Sequence, residues 1–169
     1  MAEVDATRRH VALAADLAGR VTAHLLDPLE ILLQDGAAVA ALRDRVRIDA
    51  EMWAAQLLGP DQRRASATAA RLIAALYPGD EPFDPPPQWW ATPFGQVVLH
   101  RIGHPWRDHV SYAAAGAMLG ITRQGVHDLL TRGKLRPHPD GGVTTASVRE
   151  RAIQRSNGKD TTSDALSGY

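Results

Sequence analysis

The chain has 169 residues, 44% of them hydrophobic, which suffices for one domain or for two small ones with modest cores. It contains no cysteine, and this excludes disulfides, thiolate catalysis and the usual structural zinc sites. Its 19 basic and 19 acidic residues cancel, so unselective polyanion binding is not expected of the whole chain.

The first ten residues, MAEVDATRRH, carry no apolar segment of the secretory kind, and no run approaches the length of a membrane span. A cytoplasmic protein without membrane association is expected. The first hundred residues predict helices. Val11, Ala14, Ala18, Val21 and Leu25 form one apolar stripe at helical spacing. Val39, Leu42, Val46, Trp53 and Leu57 form a second, and Ala65, Ala69, Leu72, Ile73 and Leu76 a third. Gly36 and Gly59-Pro60 punctuate them. Residues 1–77 therefore read as a helical domain for dimerisation or partner binding.

Residues 78–91, PGDEPFDPPPQWWA, hold five prolines and three acids, cannot continue a helix, and predict a stiff linker. Trp89 and Trp90 at its end are large indoles expected to pack on the module that follows. Thr92-Pro93 predicts an N-cap with proline at the first helical position. Phe94, Val97, Val98 and Ile102 form the buried face of that helix before Gly103 and Pro105 close it.

His100, His104 and His109 raise the question of a metal site. The first pair straddles the expected helix end at Gly103, lacks the intervening glutamate of an HExxH arrangement and has no evident third ligand. No Walker loop, GxGxxG or GxSxG segment is present. Neither a metal, nor a cofactor, nor catalysis is expected.

Residues 111–133, SYAAAGAMLGITRQGVHDLLTRG, carry the strongest signal. Ser111 is a good N-cap, the run to Leu119 is alanine-rich and apolar, and Gly120 stands where the chain must turn left-handed to leave the helix. Thr122 then caps a second helix. That helix carries Val126, Leu129 and Leu130 on one side and Arg123, Gln124, His127 and Asp128 on the other. Gly116 is the small residue that lets the two helices approach. A plain structural helical hairpin remains the alternative for this segment taken alone.

Gly133 predicts the end of the second helix. In KLRPHPDGGV, Leu135 and Val143 are apolar, while Pro137, Pro139 and Asp140-Gly141-Gly142 form turns, as in a short β-hairpin or wing. Ser147 with Glu150 three residues on reads as a capping box that opens another helix. The polar stretch from Ser156 is expected to be a disordered tail.

The order helix, turn, helix, wing, helix, with its LGITRQGVHDLL run followed by RGKL, resembles the winged helix-turn-helix of the MerR and excisionase-like families over residues 110–155. It departs from them in Gly116, where alanine is more usual, and in Gly125 within the first turn of the second helix. Gly125 costs about 1 kcal/mol of helix propensity, so that turn is expected to order mainly on DNA. The resemblance implies a winged DNA-binding fold.

Charge agrees with it. Residues 101–155 hold nine Lys/Arg against four Asp/Glu, whereas residues 1–100 hold nine against thirteen. A basic module joined to an acidic one fits a small DNA-reading surface beside a domain with another task. The expected fold is mainly α, with a helical domain (1–77), a linker (78–91), a winged helix-turn-helix (92–155) and a tail (156–169).

The expected function is sequence-specific binding of double-stranded DNA, in transcriptional regulation, as a homodimer through the N-terminal helices. An excisionase-like or architectural DNA-binding factor is one alternative, and a protein adaptor whose helix-turn-helix does not bind DNA is another. The expected contact residues are Ser111, Thr122, Arg123, Gln124, His127, Thr131 and Arg132, with Lys134, Arg136 and His138 on the wing. Asp128 is expected to orient a neighbouring arginine.

Overall fold

Glu3 and Asp5 in the first turn and Arg20 in the last complement the dipole of helix α1, Ala2–Val21. In a computed structural model that describes the backbone of residues 2–165 and the side chains of 3–158, α1 continues through a π-helical turn, Thr22–Leu26, into α2, Asp27–Leu33. Pro28 has no N–H to donate, and the wide turn just before it absorbs the missing bond. Gln34, at φ 54°, ends the run in the left-handed region. Asp35 then caps α3, Gly36–Leu58, by accepting from the N–H groups of Ala37 and Ala38 at 3.0 and 3.1 Å. Asp61 caps α4, Gln62–Leu76, through Arg64 N–H at 3.0 Å.

The chain is mainly helical and divides into two compact units between Phe83 and Asp84. In the first unit α3 packs against both α1 and α4. Its core consists of Leu13, Ala14, Leu17, Val21 and Leu26, then Val39, Ala50, Ala54 and Leu57, then Ala65, Ala69, Leu72, Ile73 and Leu76. The third apolar stripe read from the sequence is buried throughout. The first two are buried in part: Ala14, Val21, Val39 and Leu57 are core, whereas Val11, Leu25 and Leu42 face solvent and Leu13, Leu17, Ala50 and Ala54 take the other inner positions. In α3 the small Ala50 and Ala54 take the core positions, whereas in α1 the larger Leu13 and Leu17 do. Arg43 ties α3 to α2 through Asp27 at 2.9 Å and through Glu30.

The proline-rich stretch is shared out between the units. The Phe83 ring stacks on Tyr77 at 3.8 Å within the first unit. A 3-10 turn, Pro87–Ala91, belongs to the second, with Trp89 and Trp90 buried and edge-on at 5.1 Å. The second unit thus begins earlier than residue 92, because its indoles are core.

Thr92 caps α5, Pro93–Arg101, by accepting from Gly95 N–H at 3.1 Å, and donates its hydroxyl to Trp89 O at 2.7 Å. Strand β1, His109–Val110, was not anticipated. It pairs antiparallel with β2, Val143–Thr144, in the register His109 to Thr144 and Val110 to Val143. Between the strands lie α6, Tyr112–Leu119, and α7, Arg123–Thr131; α8, Thr145–Ala165, follows β2 directly.

Helix α8 starts two residues before Ser147. Thr144 is the residue at its mouth, its hydroxyl oxygen accepting from Ser147 N–H at 3.4 Å. Ser147 is buried, and its hydroxyl accepts from Arg136 N–H at 3.1 Å. The expected capping box is therefore displaced, and Glu150 is engaged elsewhere. Helix α8 also extends past Ser156 to Ala165, where a disordered tail had been expected; residues 166–169 lie outside the described residues. No helix among the described residues is long and apolar enough to cross a membrane.

Candidate nucleic-acid interface

Two glycine-terminated helix ends shape the candidate surface. Ser111 caps α6 by accepting from Ala114 N–H at 3.1 Å. Gly120, at φ 63°, ends it: Ile121 N–H reaches back to Gly116 O at 2.9 Å and Gly120 N–H to Ala117 O at 3.3 Å. Helix α7 ends in the same pattern, with Gly133 at φ 65°, Lys134 N–H to Leu129 O at 2.8 Å and Gly133 N–H to Leu130 O at 2.9 Å. Both are Schellman motifs. Thr122 caps the start of α7 by accepting from Gly125 N–H at 3.1 Å, so the first turn is closed.

This geometry fixes which side of α7 faces outward. Val126 is fully buried and Leu129 and Leu130 are half-buried, while Arg123, Gln124, His127 and Thr131 are exposed. Gln124 donates to Asp128 Oδ1 at 3.1 Å, so Asp128 orients the glutamine and not an arginine as expected. Ser111 and Thr122 are exposed, and their hydroxyl oxygens are occupied as caps, yet each O–H remains available as a donor. Thr131 spends its hydroxyl on His127 O at 3.1 Å.

The segment after α7 folds back as a hairpin. Arg136 O accepts from Thr144 N–H at 2.9 Å, His138 N–H donates to Gly142 O at 3.1 Å, and the turn closes from Gly141 N–H to His138 O at 3.0 Å. Gly142 has φ 74°, and a Cβ there would lie 2.1 Å from Val110 O, so the approach of β1 requires glycine. Lys134 and Arg132 are exposed. Arg136 is exposed as well, but its guanidinium makes a two-pronged pair with Glu150 at 2.9 Å for each bond. That pair raises the arginine pKa and lowers the glutamate pKa, the hydrogen bonds being the main cause in both.

His138 is half-buried and stacks on His109, ring centres 4.1 Å apart and planes 10° from parallel. Asp108 stands at the edge of both rings, its Oδ1 2.7 Å from His109 Nδ1 and its Oδ2 3.8 Å from His138 Nε2. The His109 hydrogen bond is the main cause that holds the Asp108 carboxyl below its ordinary pKa. Possible ligand atoms of Asp108, His109 and His138 lie within 4.8 Å of one another. However, His138 Nδ1 accepts from Asp140 N–H at 3.1 Å, which puts the neutral ring's proton on Nε2, the atom facing Asp108. The arrangement is a carboxylate shared by two imidazoles. Sequence reading weighed His109 only beside His100 and His104 and passed over Asp108, whose pairing with the sequence-distant His138 leaves no local signal.

The three histidines weighed for a metal do not converge. His100 bonds Gln96 O at 2.6 Å and Ser156 Oγ at 2.9 Å, whereas His104 faces Asp84 at 3.4 Å. Helix α8 braces the unit from behind: Arg149 Nε donates to His100 O at 2.8 Å and Arg155 Nη1 to Leu119 O at 2.7 Å. Thr145 donates its hydroxyl to Arg107 O and Asp108 O at 2.9 and 3.0 Å.

No protein-family model, curated protein or solved structure matches the chain.

Proposed function

We propose that this chain is a sequence-specific double-stranded-DNA-binding protein that regulates transcription in the cytoplasm. In this reading the second unit is a winged helix-turn-helix of MerR or excisionase-like type. Helix α7 enters the major groove, and the hairpin between α7 and β2 is the wing.

The observation that carries the reading is the outward face of α7. Arg123, Gln124 and His127 stand exposed at its N-terminal half, opposite the fully buried Val126. Arginine and glutamine have the bidentate donor geometry that guanine and adenine edges require. The exposed O–H groups of Ser111 and Thr122, at two helix N-termini, suit phosphate contacts.

The first unit supplies a homodimer interface in this reading. Helix α2 buries none of its residues, and Ile31 and Leu32 are 77% and 78% exposed. Leu33, Ile48 and Met52 add to the exposed apolar surface. A dimer would place two α7 helices on half-sites one helical turn apart, about 34–36 Å.

Selection of bound fragments from random DNA, followed by footprinting, tests the proposal. Recovery of a paired motif that the protein binds far more tightly than random DNA is the expected result. Selected DNA that binds no better than the starting pool would overturn it.

A further inference from the structure

Helix α8 carries an arginine that nothing within the fold explains. Arg151 Nε is buried and has no hydrogen-bond partner among the described residues. Two other arginines of the same helix each donate one bond within the fold, Arg149 Nε to His100 O and Arg155 Nη1 to Leu119 O. Arg151 as a whole is half-buried, and a guanidinium with one N–H left unpaired gains from an anion placed against its outer nitrogens.

Arg151 lines a cavity of about 250 Å³ between α7 and α8. Arg132 and Arg155 line it as well, with Gly125, Leu129 and Asp128. Arg132 makes no ion pair or side-chain hydrogen bond among the described residues, and Asp128 is occupied by Gln124. Three arginines therefore line a cavity with a single carboxylate, itself already engaged by Gln124.

We propose that Arg132, Arg151 and Arg155 form an anion site that takes a phosphate group in this cavity. Planar guanidinium forks match the oxygens of a phosphate, and three of them would satisfy an anion of charge near two. The cavity opens beside the outward face of α7, so the phosphate has two possible sources. One is a backbone phosphate of bound DNA, which rests on the DNA-binding reading above. The other is a small phosphorylated molecule bound by the free protein.

The test uses the full chain and the variants Arg132→Gln and Arg151→Gln. Thermal unfolding is followed in inorganic phosphate and pyrophosphate against chloride at matched ionic strength, and the salt dependence of DNA binding is measured in parallel. If the source is a small molecule, phosphate raises the midpoint of the wild type in a dose-dependent way, and both variants lose the rise. If the source is DNA, phosphate has no such effect, but Arg132→Gln lowers the salt slope by about one unit. Arg132 is exposed, so its variant retains the fold even if Arg151→Gln weakens it.

A phosphate effect that persists in both variants, or no effect with an unchanged salt slope, overturns the site. In that case tight binding to selected DNA would leave the functional reading intact. Conversely, a chain that binds no DNA but is stabilised by phosphate only when both arginines are present keeps the site and loses that reading.

Discussion

A Cβ at Gly116 would lie 2.8 Å from the carbonyl oxygen of Ile121, whose own N–H donates back to Gly116 O at 2.9 Å. The turn between α6 and α7 is drawn against the α6 backbone, and only glycine leaves room. Gly125 differs, since a Cβ there would meet Ile121 and Thr122 at an ordinary 3.5 Å. Gly116→Ala should therefore cost about 1–3 kcal/mol of stability through overpacking. Gly125→Ala should add up to about 1 kcal/mol through helix propensity. Urea unfolding of the two variants checks the pair, and changes of the same sign would contradict the packing described.

His104 supplies a pH dependence. Its ring is buried beside Trp90 and Trp106, and burial is the main reason its pKa lies below the usual 6.5. The Asp84 carboxylate at 3.4 Å pulls the other way, but it is half exposed and is outweighed, with the Arg107 charge assisting burial. His104 Nδ1 also accepts from Arg107 N–H at 3.1 Å, a bond only an unprotonated Nδ1 can accept. As pH falls through 6.5, the unfolded chain binds a proton that folded His104 still refuses, so stability drops until the lower folded pKa is passed. Above that window His104 contributes no slope. Denaturant midpoints between about pH 5 and 7 should fall with acid, and His104→Gln should flatten the change.

Much of the α6–α7 segment was legible because its punctuation is local. Ser111, Gly120, Thr122 and Gly133 each act on the backbone within three or four residues, so their chemistry can be read without the fold. The facing of α1 and α3 was not legible in this way. Alanine-rich helices offer little contrast between sides, and only packing decides that Leu17 rather than Ala18 is fully buried. Likewise Thr144 and Ser147 are both good caps by residue type. The choice falls to Thr144 because Ser147 is needed by Arg136 N–H, a partner eleven residues away.

Dimerisation should depend on α2. Replacing Ile31 and Leu32 by serine removes exposed apolar surface without touching the buried core, so the fold should survive. Sedimentation of the full chain is expected to change from dimer to monomer, with circular dichroism unaltered. A wild-type chain that sediments as a monomer at all concentrations would refute the assembly.

The two cations of the hairpin after α7 should not behave alike. Lys134 is exposed and Arg136 is held by Glu150 through two 2.9 Å bonds. Lys134→Ala should reduce the salt slope of DNA binding by up to about one unit, and Arg136→Ala by less. Glu150→Gln weakens the restraint on Arg136 and should steepen the slope. Equal effects of the two alanine replacements would mean that the pair opens on DNA without cost.

Base reading should rest on Arg123 and Gln124, whose placement follows from the burial of Val126 on the opposite side of α7. Each alanine replacement should cost about 1–3 kcal/mol on the selected site and much less on random DNA. Gln124 is already aligned by Asp128 at 3.1 Å, so Asp128→Ala should erode the discrimination made by Gln124 while leaving that of Arg123 untouched. Binding of the three variants to a library of site mutants decides the matter. Losses confined to one or two base positions per variant identify a reading residue. Uniform losses across the library would place α7 against the phosphate backbone instead, with its outward face gripping DNA but not distinguishing one sequence from another.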